Sequence, residues 1–223
     1  MRRTLRNLWE LYEAPKLDRH IRTYPGLRPR NVTATDEEKA RILAAAPDHL
    51  RLWILLCSDL AMRSGTAAKI APRHYDPTRH ILAFTTKYGA TLTLPTTDAI
   101  DALIMRCDLG DPEPLARQLW RRVSRIRSKN PDTADQDSYE RQFKQLRIAL
   151  GITRRIVPHD LRRTTAVSML RESGDVRDVQ ALLGHRSLQS TIWYLDHDIR
   201  PVSRAVLETI KRPFLIQQKE KSA

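Results

Sequence analysis

The chain has 223 residues and a formal net charge of +13, from 39 lysines and arginines against 26 acidic residues. An excess of this size is typical of proteins that bind a polyanion, and nucleic acid is the first class to consider. The sequence has no membrane-length apolar run, signal peptide, lipidation signal or glycine-rich phosphate loop, so we expect a cytosolic or nucleoid-associated protein that binds neither a membrane nor a nucleotide cofactor.

Residues 1–34 differ in composition from the rest of the chain. A helical stretch, LRNLWELYEA, leads into KLDRHIRTYPGLRPRN, which is rich in arginine and proline and has little apolar periodicity. We predict a helix followed by a basic linker, and then a compact domain over residues 35–198. Thr35 heads the sequence TDEE, a capping box in which the Thr35 hydroxyl and the Glu38 carboxylate bind each other's backbone N–H groups at a helix start.

A central buried helix is predicted from Asp48. The sequence DHLRLWILLCSDLAM keeps leucines at helical spacing and delivers Arg63 at its end. An arginine that follows a nearly continuous apolar helix is expected to be a buried or half-buried cation, and such a cation requires an anion. Cys57 within this stretch and Cys107 further on are typical of small buried side chains, not of a disulfide or a metal pair.

A β-hairpin is predicted next. Period-two alternation in ILAFTT and TLTLP is interrupted at Lys87, Tyr88 and Gly89, and Asp76 with Pro77 marks a turn ahead of it. A lysine at a hairpin tip is, by itself, usually solvated. Helical patterns resume at DAIDALIMRC, EPLARQLWRRVSRIRSK and SYERQFKQLRIALG, so we expect a mostly α fold with a small antiparallel β-sheet, of the α+β class.

A basic run lies in the second of these helical patterns. The sequence RQLWRRVSRIRSK places arginine at nearly every turn, which is more than solubility needs. The run is therefore a candidate DNA contact, and a solvated helix face is an equally good interpretation. The candidate DNA-binding residues are Arg117, Arg121, Arg122, Arg125 and Lys129.

The residues suited to chemistry are densest between Pro158 and Tyr194. His159 and Arg162 stand three apart and share one face of a predicted helix, and His185 lies nine residues before Tyr194. Taken singly, a histidine is usually a helix-end residue bonded to backbone, and a tyrosine is usually a core aromatic. Two imidazoles, a guanidinium and a phenol in one such segment favour an anionic phosphate as the ligand.

The end of the same segment also fits a helix-turn-helix. One helix, a turn at Gly184 and a second helix give the outline of a DNA reader. In that interpretation Gln189, Ser190 and Thr191 face base edges, and Tyr194 packs or touches a phosphate. The protein is then a non-catalytic DNA-binding protein.

The residues taken together resemble the catalytic domain of the tyrosine recombinases, the phage integrase family. The resemblance covers about residues 35–198, and its specific parts are the motifs HxLR and LGHxxxxxTxxYL. A non-catalytic DNA-binding protein needs neither a nucleophile nor a hairpin lysine, so these residues favour an enzyme over the helix-turn-helix interpretation. The matching positions are Arg63 in AMRSGT, Lys87 in the hairpin, His159 and Arg162 in HDLR, His185 in LLGH, and Tyr194.

The resemblance implies a reaction and a role for each matching residue. In this family a tyrosine attacks a DNA phosphodiester, forms a 3′-phosphotyrosyl link and releases a 5′-hydroxyl, and a second strand later reverses the reaction. Tyr194 is then the nucleophile and His159 its base. Arg63 and Arg162 clamp the non-bridging oxygens in the transition state, and His185 donates to the same phosphate.

The leaving group and the partners are implied by the same resemblance. Lys87 matches the hairpin lysine that protonates the departing 5′-oxygen, a task that suits an amine better than a guanidinium. The phosphotyrosine conserves the energy of the broken bond, so neither a metal nor a cofactor is expected. The implied partner is double-stranded DNA, bound by a homo-oligomer, a tetramer. Site-specific recombination or integration of a mobile element is the implied function, and a topoisomerase-like DNA relaxing enzyme is the lesser alternative.

Two substitutions near the first arginine depart from the family pattern. Ala61 replaces the glycine often found two residues before this arginine. Thr66 replaces the acid often found three residues after it, which normally helps to hold the active-site cations.

The two ends of the chain also differ from the usual family arrangement. Residues 1–34 are too few for the helical DNA-clamping domain that commonly precedes the catalytic domain, although LRNLWELYEA is compatible with its last helix. Residues 199–223 predict a tail with a short amphipathic helix that has Val202, Val206 and Ile210 on one side. Such a helix is compatible with docking on a neighbouring protomer or on its own domain.

Overall fold

The computed structural model describes residues 32–86, 89, 91–123 and 134–195. Several predicted features lie outside these residues: the amino-terminal helix and linker, Lys87, the DNA-contact candidates Arg125 and Lys129, and the tail helix with Val202, Val206 and Ile210. None of the helices within the described ranges has both the length and the apolar character needed to cross a membrane.

The first two helices agree closely with the sequence pattern. Helix α1, Asp36–Ala45, begins with the predicted capping box: the Glu38 amide donates to the Thr35 hydroxyl (3.1 Å), and the Thr35 amide donates to the Glu38 carboxylate (2.8 Å). Helix α2, Asp48–Ser58, has nearly all of its side chains buried, as a central helix should. It ends before a turn, so Arg63 lies beyond the helix and not at its end.

The β-sheet is antiparallel and has three strands. Strands β2, Ile81–Thr85, and β3, Thr91–Pro95, form the predicted hairpin. A two-residue strand β1, Tyr75–Asp76, pairs with the free edge of β2, and the sequence pattern did not predict it. The Asp76 carboxylate accepts a hydrogen bond from the Thr78 amide (3.0 Å) and so forms the predicted turn between β1 and β2.

The rest of the described chain is helical. Its elements are α3 (Ser64–Ala67), a 3₁₀ turn (Pro72–His74), α4 (Asp98–Ile104), α5 (Leu115–Val123), α6 (Ala134–Ala149), α7 (Pro158–Ser173), α8 (Val176–Leu183) and α9 (Leu188–Leu195). The predicted class, mostly α with a small antiparallel β-sheet, is confirmed.

The main core is built around the aromatic side chain of Trp53 on α2. Its ring centroid lies 5.6 Å from that of Tyr139 and 6.4 Å from that of Phe143, both on α6. The indole N–H donates to the backbone oxygen of Ser64 (3.0 Å). A fully buried aromatic residue of the core therefore also fixes the chain next to Arg63.

Helix α9, which carries Tyr194, packs on a second and smaller apolar cluster. The buried members come from α7, α8, α9 and the turn before Arg63: Ala61, Ala166, Val167, Val179, Leu183 and Leu195. Tyr194 is half-buried at the edge of this cluster. Within the described residues, the buried apolar contacts of the tyrosine-bearing helix therefore belong to a different cluster from the main core around Trp53.

Candidate active site

Arg63 stands at the mouth of the site, directly after a tight turn. Ala61 has a φ of +47°, in the left-handed region that favours glycine, and this explains why the family often carries glycine here. The Arg63 side chain is half-buried, as expected. Within the described part of the chain, no carboxylate or carbonyl group accepts a hydrogen bond from its guanidinium, which leaves this cation available to an external anion.

Arg162 lies behind Arg63 and is held rigidly. Only 3 % of its surface is exposed. Its guanidinium donates to the backbone oxygen of Ala61 and to that of Leu183 (2.8 Å), so it joins the Arg63 turn to helix α8. Burial and the neighbouring Arg63 lower the pKa of Arg162 to about 10, which still leaves it protonated at neutral pH. The side chain is therefore a fixed cation beneath the site.

The phenol of Tyr194 lies between the two histidines. Its ring meets those of His159 and His185 edge to face, with centroid distances of 5.2 and 5.8 Å. The hydroxyl donates a long hydrogen bond (3.4 Å) to the backbone oxygen of His159, not to the imidazole. Burial raises the pKa of Tyr194 to about 12, and Arg162 is the largest of the influences that oppose this rise. The phenol is therefore protonated at neutral pH.

Both histidines are neutral at pH 7. Desolvation, followed by repulsion from Arg162 and Arg63, lowers the pKa of His185 to about 4. The pKa of His159 is also lowered, and burial is again the largest cause and repulsion from Arg162 the second. A neutral imidazole can accept a proton at one nitrogen and donate from the other, which a doubly protonated ring cannot do.

A buried threonine fixes the ring of His185. The Nδ1 atom of His185 lies 3.0 Å from the hydroxyl oxygen of Thr191, and Thr191 has 0 % of its surface exposed. When the hydroxyl is the donor, the ring proton is on Nε2, and this nitrogen then donates towards the site. The helix-turn-helix interpretation required Thr191 to face base edges. It is wrong on this point, because the side chain is fully buried.

The lowered pKa of His185 predicts a loss of stability in mild acid. An unfolded histidine has a pKa of 6.5 and takes up its proton first, so stability is complete above pH 6.5 and falls as the pH drops towards about 4. The slope from one such group is at most about 1.4 kcal/mol per pH unit. Urea unfolding at pH 7, 6 and 5 measures how the free energy of unfolding changes with pH, and this change should be smaller in His185→Gln than in the native protein. Equal slopes for both proteins would contradict the burial of a neutral ring.

A cationic cleft opens beside Arg63. It has a volume of about 790 Å³ and extends from Arg63 and His159 past Lys69 and Arg73 to the end of strand β2. The charged side chains among its described lining residues are all cationic. Thr66, which stands where the family often has an acid, lies in this wall. A cleft of this volume with positively charged walls suits a strand of a polyanion that continues away from the site.

A carboxylate is linked to the Arg63 turn indirectly. The side-chain amide of Gln136 donates to the Ser64 hydroxyl (3.1 Å) and to the Glu140 carboxylate (3.0 Å). These two hydrogen bonds connect the Glu140 carboxylate to Ser64, the residue after Arg63, through the Gln136 amide. The family pattern instead has an acid at the position of Thr66. Nothing in the sequence pattern around AMRSGT indicated a role for helix α6 here.

The predicted DNA-contact run begins on helix α5 and is partly neutralised. The Arg121 guanidinium pairs with Glu113 (2.7 Å) and Asp111 (3.5 Å), and that of Arg117 lies 4.0 Å from Glu113. Arg122 is exposed. These ion pairs use part of the positive charge that the sequence displays. The DNA contact of this run stays a prediction.

The fold and the site together define the class of the tyrosine recombinase catalytic domain. The model of the Phage integrase family matches residues 33–200, and the chain belongs to this family. Tyrosine recombinase XerC of Agrobacterium fabrum is 29% identical over 143 residues, which are 61% of this chain and 42% of that protein. The chain therefore spans less than half of the length of this relative.

Solved structures share the fold at low sequence identity. The catalytic domain of bacteriophage HP1 integrase is 19% identical, with a TM-score of 0.55 over 81% of this chain and 94% of that one. The XerH site-specific recombinase, bound to palindromic difH substrate in a post-cleavage complex, is 17% identical, with a TM-score of 0.55 over 84% of this chain and 53% of that one.

Proposed function

We propose that this protein is a site-specific DNA recombinase or integrase that cleaves and rejoins DNA strands through a 3′-phosphotyrosyl intermediate on Tyr194, without a metal ion. The observation that carries the proposal is the position of the Tyr194 phenol between two neutral histidines and next to Arg162. The family membership and the fold shared with a recombinase in a post-cleavage DNA complex support it.

Activation of the nucleophile is assigned to His159. A phenol with a pKa of about 12 is ionised to about one part in 10⁵ at pH 7, so attack on phosphorus requires a positioned proton acceptor. The imidazole of His159 is neutral and its ring is next to that of Tyr194. Binding of an anionic phosphate compensates the charge of Arg162 and Arg63 that lowers the pKa of His159, and this makes the ring a stronger base when the substrate is present.

The transition state is stabilised by groups that are already in place. Two N–H groups of Arg162 are bound to backbone oxygens, which fixes the plane of the guanidinium before the substrate arrives. Arg63 supplies the second cation, and His185 supplies a neutral N–H donor at Nε2 in the tautomer in which the Thr191 hydroxyl donates to Nδ1. Charge grows on the non-bridging oxygens during attack, so these donors bind the transition state more tightly than the ground state. Protonation of the leaving 5′-oxygen is assigned to Lys87 on the family resemblance.

The proposed partner is double-stranded DNA, bound by a homo-oligomer that is a tetramer in the complete reaction. The cationic cleft lined by Lys69 and Arg73 is the proposed path of the strand that leaves the scissile phosphate. Both side chains are exposed, so each is accessible to a phosphate of the bound strand. Contacts of this kind set affinity and register and do not read sequence.

Neutralising the cleft should weaken DNA binding and reduce its dependence on salt. For the double variant Lys69→Gln/Arg73→Gln we expect the slope of log K against log salt to fall by about 1.8, or about 0.9 for each lost phosphate contact. Fluorescence anisotropy of a labelled duplex between 50 and 200 mM salt measures this slope. Arg79→Gln is the matched control, because Arg79 is exposed in the turn between β1 and β2 and does not line the cleft. Equal slopes in the two variants would contradict this path.

Covalent trapping on a randomised substrate tests the proposed function and does not require a defined target site. A pool of nicked duplexes with randomised sequence around the nick is incubated with the protein in EDTA, and DNA that stays attached to protein in SDS is recovered and sequenced. Loss of the short fragment beyond the nick prevents religation, so the attached state accumulates. We expect attached duplexes that share one sequence. Retention of duplexes before SDS treatment, with none attached afterwards, would overturn the proposal in favour of a non-catalytic DNA-binding protein.

A further inference from the structure

Arg163, the residue after Arg162, is a deeply buried cation that contacts the tyrosine helix. Only 2 % of its surface is exposed. Its Nη1 atom donates to the backbone oxygen of Tyr194, and its guanidinium carbon lies 5.6 Å from the centroid of the Tyr194 ring. Arg163 therefore binds both the main chain and the side chain of Tyr194.

The main-chain contact is made at the last described turn of helix α9. Leu195 is the last residue of this helix that the structure describes, and the carbonyl of Tyr194 next to it accepts a hydrogen bond from Nη1 of Arg163. Arg163 lies on helix α7, so this bond joins α9 to another helix through a buried cation.

The second contact fixes the direction of the phenol. A guanidinium near the face of a phenol is attracted by the ring and restricts its rotation. Among the described residues, the buried apolar side chains that support α9 belong to the small cluster that contains Leu195 and Leu183. A charge-assisted hydrogen bond and a cation–ring contact from Arg163 add to this apolar support.

We propose that Arg163 is a positioning residue that keeps helix α9 docked, with Tyr194 aimed into the site. The two adjacent cations then have different roles: Arg162 lies at the phosphate site, and Arg163 binds the helix that carries the nucleophile. Movement of α9 away from the site would remove one hydrogen-bond acceptor and one ring contact from a buried guanidinium, which favours the docked state. The effect on catalysis rests on the proposed function, and the effect on docking does not.

Hydrogen exchange in the absence of DNA tests the docking directly. In Arg163→Met we expect amides of residues 188–195 to exchange about tenfold or more faster than in the native protein, while amides of the core helix α2 keep their protection. Arg163→Lys should recover part of the protection, because it retains the charge and loses the planar fork. Arg171→Met is the matched control, since Arg171 is on the same helix but exposed. Native protection of residues 188–195 in Arg163→Met would overturn the proposal.

A covalent-trapping assay then separates positioning from folding. With the trapped target duplex, we expect Arg163→Met to attach at least about tenfold more slowly in a single turnover while its affinity for DNA stays within about twofold of the native value. Arg163→Lys should regain part of the rate. If α2 also loses protection in both Arg163→Met and Arg163→Lys, Arg163 is a folding residue and the proposal is overturned. Failure of the native protein to attach DNA would refute the proposed function and leave the exchange result intact.

Discussion

Tyr194→Phe is expected to reduce covalent attachment to DNA by at least about 10⁴-fold, to below detection, and to leave duplex affinity within about twofold of the native value. The substitution removes the hydroxyl oxygen alone, whose hydrogen bond to the backbone oxygen of His159 is long (3.4 Å). The ring contacts with His159 and His185 and the bond from Arg163 to the main chain remain possible. The variant should therefore fold and bind as the native protein does. SDS gels of the trapped substrate and anisotropy of the same duplex measure the two quantities.

Tyr75→Phe is the matched control for this comparison. Its hydroxyl donates to the Asp101 carboxylate (2.8 Å), and neither residue is among the described residues that line the cleft. Loss of this hydrogen bond should lower the free energy of unfolding by about 1 kcal/mol and leave covalent attachment unchanged. Native levels of attachment in Tyr194→Phe would exclude Tyr194 as the nucleophile.

Substitutions of Arg63 and Arg162 are expected to slow attachment by similar factors and to differ in their effect on stability. Arg63→Met should slow attachment by about 10²–10³-fold with a change of less than about 0.5 kcal/mol in the free energy of unfolding, because the guanidinium contacts no acceptor among the described residues. Arg162→Met should slow attachment by a similar factor and also destabilise the protein by about 2–5 kcal/mol. That variant leaves the buried carbonyls of Ala61 and Leu183 without their donor.

Single-turnover rates with trapped DNA and urea unfolding curves give the two quantities for each variant. Arg63→Lys and Arg162→Lys are the charge-conserving controls, and they should recover little of the rate, since a planar fork is lost in each. A stability loss in Arg63→Met as large as that in Arg162→Met would contradict the assignment of Arg63 as an open phosphate clamp.

Local patterns predicted much of the fold. The capping box at Thr35 and the apolar run of α2 depend on residues that are close in the chain, and both occur as the spacing indicates. The hairpin of β2 and β3 is predicted by period-two alternation on either side of a short connection. Strand β1 could not be found in this way, because a two-residue strand has no period of its own and exists only as an edge paired with β2.

The site was only partly predictable, because its supporting residues act across the fold. The motifs pointed to Arg63, His159, Arg162, His185 and Tyr194, and the structure brings these five together. Their roles still rest on the family resemblance.

The supporting residues gave weaker signals. Arginine is rarely buried, so the residue type of Arg163 favours a position at the surface. Its burial and its hydrogen bond to the Tyr194 carbonyl are visible only once α9 is packed against α7. Thr191 belongs to the LGHxxxxxTxxYL motif, and that membership was the available signal. Its direction depends on how α9 packs, which the spacing alone does not determine.

The chemical position of the DNA link is the most direct test of the central claim. Protein trapped on a nicked duplex is digested with nuclease and trypsin, and the nucleotide-bearing peptide is sequenced by mass spectrometry. Trypsin does not cleave the Arg200–Pro201 bond, so cleavage after Arg186 and Arg204 yields a peptide of residues 187–204, with Tyr194 as its one tyrosine. We predict a nucleotide joined through its 3′-phosphate to Tyr194 and a free 5′-hydroxyl on the released strand. A nucleotide on any other residue, or a link through a 5′-phosphate, would contradict the claim.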